Sequence, residues 1–227
     1  MDGGDGRGDL LTVLPLISDL PGSGSGNPFV GAVLTGGASR RMGRDKALIE
    51  VDGRPMAVTV ARTLLTAGAS EVVAVGGDAE GLSTAGLAVV PDRYPGEGPL
   101  GGIITALGHF AALDLPVVVL ACDLPTPSAS NVAATASAVP AAPNGAPVVV
   151  VPLEAGRRQW MHACWLPQSS VLLTAAFSAG ERAPWRAAEA SSALGLRIVE
   201  VDGLSSAGFR DVDQPTDLAS DLGAGDR

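Results

Sequence analysis

Apolar residues recur along this chain in two rhythms. Short continuous runs at 29–33, 71–75, 87–90, 116–121, 148–152 and 196–201 are rich in Val and have the length of strands. Between them the spacing changes. Met56, Val60, Leu64 and Ala67 recur on one helical face between Pro55, which suits a helix start, and Gly68, which suits a helix end. Leu100, Ile104, Leu107 and Ala111 repeat the pattern, and 128–139, 169–178 and 184–190 predict three further helices. Strand, helix, strand is the βαβ pattern, which predicts an α/β fold with a parallel sheet and right-handed crossovers. The unbroken run 116–121 predicts a central strand buried on both faces.

Other stretches give weaker patterns. Residues 47–51 predict a short strand turning at Asp52-Gly53, and 159–166 predict a strand with bulky side chains on both faces. Residues 209–218 alternate before a helix that Pro215 would open, while 140–147 form the clearest break. Residues 1–28, with Asp-Gly repeats and a Ser-Gly run, predict a flexible extension. The apolar patch 10–17 follows Asp2, Asp5 and Asp9 rather than the basic segment of a secretory signal.

A length of 227 residues suits one sizeable domain, and 46% apolar against 4% aromatic residues predicts a core of Val, Leu, Ala and Ile. The formal net charge of −9 argues against nucleic-acid or anionic-membrane partners, which ask for a broad basic surface. A small anionic substrate needs only a local basic pocket. Two cysteines are too few for a disulfide framework, and no long apolar run predicts a membrane span, so a cytoplasmic location is expected.

The candidate chemistry begins where the first strand ends. Leu34-Thr35-Gly36-Gly37-Ala38-Ser39 is followed by Arg40, Arg41, Arg44 and Lys46, a local concentration of cations in an acidic chain. Glycines let backbone approach a ligand closely, and successive amides can cradle an anion. The spacing alone fits a solvated basic turn as well as a phosphate site. Asp123 stands where the central strand runs out, as a metal ligand or as the cap of a turn at Pro125; ligands of open α/β sheets bind beyond such strand ends. The Gly98-Pro99-Leu100 segment leads into a helix whose start suits an anion or a polar base edge. His162, inside an apolar stretch, reads first as a packed histidine and second as a substrate contact.

The run LTGGASRRMGRDK resembles the L-x-G-G-x-S-x-R-M-G-x-D-K signature of molybdenum cofactor guanylyltransferases, a group of nucleotidyltransferases on a Rossmann-like sheet. The resemblance implies a three-layer α/β/α sandwich spanning 29–227, with a nucleotide half at about 29–139 and an acceptor half at about 148–220. It implies that Leu34, Thr35, Gly36, Gly37, Ser39, Arg41, Lys46, Asp78, Asp92, Gly98, Pro99 and Leu100 bind GTP, with Asp92 at the guanine. Arg41, Lys46 and Asp123 would be catalytic, and Asp123 with Asp213 would hold Mg²⁺, for which Mn²⁺ could substitute. His162, Arg182 of the Ala-Gly-Glu-Arg segment, and Asp211 would face the molybdopterin acceptor. Transient contacts with cofactor-delivering or molybdoenzyme-maturation proteins would follow, with no nucleic acid and no membrane.

The chain departs from the family's F-x-N-x-N-T-P motif, reading Phe209-Arg210-Asp211-Val212-Asp213-Gln214-Pro215. Two aspartates there favour a cation and repel an anionic pterin phosphate. Alternatives of the same chemistry are a CTP-dependent cytidylyltransferase and another small-metabolite nucleotidyltransferase. A nucleotide-binding regulatory module is the non-enzymatic alternative.

Overall fold

Alternation inside the apolar runs decides the layers. Side chains at i and i+2 of a strand share a face, and here Val30, Ala32 and Leu34 enter one core while Val33 enters the other. The computed structural model describes residues 27–36, 45–141 and 145–211. Its strands are β1 (Val30–Leu34), β2 (Glu50–Val51), β3 (Arg54–Pro55), β4 (Val72–Val75), β5 (Val89–Val90), β6 (Val117–Ala121), β7 (Val148–Glu154), β8 (Arg157–Arg158), β9 (Cys164–Trp165) and β10 (Arg197–Val201). The helices are α1 (Met56–Thr66), α2 (Ala79–Thr84), α3 (Pro99–His109), α4 (Ala129–Ser137), α5 (Ser169–Ser178) and α6 (Pro184–Ser192).

The main sheet runs β10-β7-β9-β6-β1-β4-β5, with β8 added to β7. β1 lies parallel between β4 and β6, β4 is parallel to β5, and β10 is parallel to β7. Only β9, inserted between β6 and β7, and the β7-β8 hairpin are antiparallel within it. Val117, Val119, Val149 and Val151 pack against α3, α5 and α6, whereas Val118, Leu120, Val148 and Val150 pack against α1, α2 and α4. The expected α/β/α sandwich with a mostly parallel sheet is therefore observed. Leu64 of α1 and Leu107 of α3 are buried on opposite sides of it.

Several local expectations are corrected. Residues 46–48 form a 3-10 turn rather than the start of a strand, because the Asp45 carboxylate accepts from Ala47 N at 3.0 Å and caps the turn. The strand character survives only in the β2-β3 hairpin, whose turn residues Asp52 and Gly53 both take positive φ, as a tight hairpin requires. Pro55 stays in β3, so α1 opens at Met56. Helix α2 was not legible, since it buries only Leu82 and shows no repeat. Helix α3 ends before Ala111, which is exposed; Phe110 takes the buried place instead. The stretch 159–166 splits into a 3-10 turn at Trp160–His162 and the two-residue β9, because His162 N donates back to Gln159 O at 3.0 Å before the ladder begins. Phe209 ends a 3-10 turn, Ser206–Phe209, and is not in an alternating strand. The extension up to residue 26 and the helix expected at Pro215 lie outside the described residues.

Ser128 caps α4 by accepting from Asn131 N at 3.3 Å. Its replacement by Ala should cost about 1 kcal/mol, read as a lower denaturant midpoint at unchanged slope. A midpoint equal to that of the parent would show that the cap contributes nothing.

Candidate active site

Because β1, β4 and β6 are adjacent and parallel, their carboxyl ends emerge at one edge of the sheet. That edge gathers Thr35-Gly36, Gly76-Gly77-Asp78 and Cys122-Asp123. Thr35 ties the first two together: its hydroxyl donates to Val75 O at 3.0 Å and Gly76 O at 2.8 Å. The backbones touch so closely that a Cβ on Gly77 would lie 3.0 Å from Thr35 O, and Gly77 itself sits at φ +77°. Such a junction accepts only glycine without strain.

Asp45, where the described chain resumes, is tied to the same place. One of its oxygens caps the turn at Ala47, and the other accepts from Asp78 N at 2.9 Å. This bridge aims Lys46 across the edge, where its Nζ lies 3.4 Å from Asp123 Oδ2. The lysine and aspartate singled out from the sequence, 77 positions apart, thus meet. Both are largely covered, at 17% and 24% exposure, so the pair is screened less than a surface ion pair.

Electrostatics around Asp123 are mixed. Burial raises its carboxyl pKa above the ordinary value, Lys46 opposes that shift, and the Asp211 charge adds to it. Burial pushes the neighbouring Cys122 thiol up to about 12, which leaves it protonated and a poor nucleophile.

Asp92 follows β5. Its Oδ1 accepts from Tyr94 N and from the buried Thr105 hydroxyl, each at 3.0 Å, and a Cβ on Gly36 would lie 3.6 Å from Oδ2. A carboxylate held rigid on one oxygen therefore lies beside the β1 loop. Asp78 serves the scaffold, its carboxylate accepting from Gly81 N at 3.2 Å as the cap of α2. The start of α3 is less open than its sequence suggests. Pro99 has no N–H, Leu100 N donates to Arg182 O at 3.3 Å, and Gly101 N donates to Gly98 O at 3.2 Å.

Arg182 in turn bonds Glu97 at 2.6 Å and lies over the Phe177 ring at 4.0 Å. It lines a cleft of about 710 Å³ shared with Asp123, Trp160, His162, Trp185 and Asp211. The cleft thus gathers His162, Arg182 and Asp211 on the Asp123 side of the molecule. His162 is held uncharged by burial, with a pKa of about 4, and meets the Phe209 ring edge-on at 5.0 Å. Leu34 is a core residue at 6% exposure, so it serves the loop by anchoring it. Gly37, Ser39, Arg41 and Asp213 lie outside the described residues. Asp45, Thr105, Trp160 and Trp185 were missed; only Asp45, within the signature run beside Lys46, carried a sequence signal.

No group of three or more His, Cys, Asp and Glu able to hold a metal occurs among the described residues. Mg²⁺ needs no such cage, since it binds through one or two carboxylates together with phosphate oxygens and water. Asp123, destabilised as an anion by burial and by Asp211, fits that modest requirement. Among the described residues no helix is long and apolar enough to cross a membrane.

A model of the MobA-like NTP transferase domain matches residues 31–193. A probable molybdenum cofactor guanylyltransferase of Opitutus terrae is 41% identical over 104 residues, covering 45% of this chain and 52% of that protein. A probable molybdenum cofactor guanylyltransferase of Deinococcus radiodurans is 32% identical over 202 residues, covering 88% and 96%. The chain spans about half the length of the first curated relatives that it matches. Molybdopterin-guanine dinucleotide biosynthesis protein A from Archaeoglobus fulgidus has a similar fold, with a TM-score of 0.65 at 23% identity over 85% of this chain and 96% of that one.

Proposed function

Since the chain belongs to the MobA-like NTP transferase family, we propose that it transfers GMP from GTP to the terminal phosphate of the molybdopterin cofactor. An oxygen of the acceptor phosphate attacks the α-phosphorus of GTP, the bond from that phosphorus to the bridging oxygen breaks, and pyrophosphate leaves. The observation that carries this reading is the Lys46–Asp123 pair at 3.4 Å, on the edge where β1, β4 and β6 end.

Each residue has a role that its surroundings allow. Lys46, fixed through Asp45, neutralises phosphate oxygens as charge moves toward the leaving group. Gly36 admits the nucleotide close to backbone, and the rest of the signature, with Gly37, Ser39 and Arg41, would complete the phosphate contacts. Asp92 offers its free oxygen to the adjacent N1–H and N2–H donors of guanine; cytosine presents only one amino group there. Asp123, with Asp211 or Asp213, would hold Mg²⁺. The bound ion would polarise the α-phosphate and offset its charge. No covalent nucleophile is required, in keeping with the protonated Cys122.

Base choice is tested by thermal shift with GTP, CTP, ATP and UTP in magnesium. GTP at about 100 times its Kd should stabilise the protein by about 2.7 kcal/mol, a rise of several degrees. A larger shift with CTP would transfer the assignment to a cytidylyltransferase.

A further inference from the structure

The chain has three tryptophans and is poor in aromatic residues, at 4%. Trp165 is fully buried in the core between β6 and β7. The other two, Trp160 and Trp185, come from separate parts of the fold, the turn before β9 and the first turn of α6, yet both line the cleft beside Asp123. Trp185 remains 43% exposed, which leaves ring surface open to a ligand in the cleft. The Arg186 guanidinium lies over its ring at 4.9 Å, and the Arg158 guanidinium lies 5.8 Å from the Trp160 ring. These contacts hold both indoles in place, so less freedom is lost when a ligand stacks on them.

Charge along the cleft is divided. Arg158 is paired with Glu200 at 2.7 Å and Arg182 with Glu97 at 2.6 Å, so neither wall presents an unopposed cation. At the remaining end Asp211 adds an anion to the Lys46–Asp123 pair, so a phosphate is accepted there only beside a bound cation. A polyanion would gain little from such walls; a flat, mostly uncharged ring with one phosphate directed at the Asp123 end would gain most.

We propose that Trp185, with Trp160 lining the same cleft, is the stacking platform that selects an acceptor with a planar conjugated ring over a sugar phosphate. The proposal rests on the transferase reading and adds the residue that would discriminate among acceptors. Aromatic stacking commonly contributes enough for a tenfold or larger change in affinity per ring.

The test uses the full chain, in magnesium and a non-hydrolysable GTP analogue, and equilibrium dialysis with three probes: 6-hydroxymethylpterin monophosphate, flavin mononucleotide and ribose 5-phosphate. Trp185→Leu keeps an apolar side chain but removes the flat face, and Trp185→Phe restores a smaller one; thermal melts confirm that both fold. Wild-type protein should bind at least one planar phosphate, with Kd raised at least about tenfold in Trp185→Leu and largely rescued in Trp185→Phe, while ribose 5-phosphate is indifferent to both changes. Equal binding of the planar probes by Trp185→Leu and wild type would overturn the proposal, as would failure of both planar probes to bind or an equal loss for ribose 5-phosphate. If only the flavin binds, in a Trp185-dependent way, and no GMP transfer is detected, the stacking platform stands and the molybdopterin reading falls.

Discussion

Asp123→Asn should reduce pyrophosphate release from GTP, magnesium and molybdenum-loaded pterin by at least about 10²- to 10³-fold, while raising the melting temperature of the ligand-free protein at pH 7. The first effect follows from losing the carboxylate that meets Lys46 at the edge where β1, β4 and β6 end; removing a single preorganised stabilising group commonly costs that much. The second follows from the direction of its pKa. Burial holds the carboxyl of Asp123 above its ordinary value despite Lys46, so the folded state binds this proton more tightly than the unfolded chain does. The stability contributed by this group is present below its unfolded pKa and is lost as pH rises through the folded one. Asn imitates the protonated form, so its advantage should appear at neutral pH and vanish near pH 3. A substitution that damages the enzyme and stabilises the protein separates a functional acid from a structural one. Retention of more than about a tenth of the wild-type rate would remove Asp123 from the mechanism.

Lys46→Met should lower kcat/KM by about 10²- to 10³-fold and also move its pH profile. Lys46 is the chief influence that lowers the Asp123 pKa, through both its charge and its hydrogen bond. Without it the carboxyl titrates at higher pH, so the acid limb of kcat/KM should shift toward neutrality. Lys46→Arg should not restore the rate, because the broad guanidinium does not reproduce a compact ammonium on a short, Asp45-fixed turn. A variant with reduced rate but an unmoved acid limb would mean that Lys46 acts on the nucleotide alone and that Asp123 is not the titrating group. Measuring kcat/KM for both substrates across pH 5 to 9 distinguishes these outcomes.

How far the sequence could be read depended on how local each determinant was. The continuous run ending at Asp123 identified a buried strand and an acid at its end, because both are properties of neighbouring residues. The same holds for α1, where Met56, Val60 and Leu64 mark a face that is indeed buried. Short elements failed: α2 buries one leucine and β9 has two residues, too little for any period to register. The start of α3 looked open because its local sequence shows only Gly98-Pro99; Arg182, which supplies the acceptor for Leu100 N, arrives from a distant part of the chain.

From the order of residues alone came the α/β class, the parallel strands, the basic glycine loop and the acid expected to face it, since side-chain period, turn chemistry and local charge are written in adjacent positions. Tertiary structure decided what meets what: that the Asp45 carboxylate accepts from the Asp78 amide, that Lys46 reaches Asp123, and that Trp160 and Trp185 share one cleft. These contacts depend on the order in which strands lie in the sheet, and that order is chosen by the burial of two apolar faces at once rather than by any one segment.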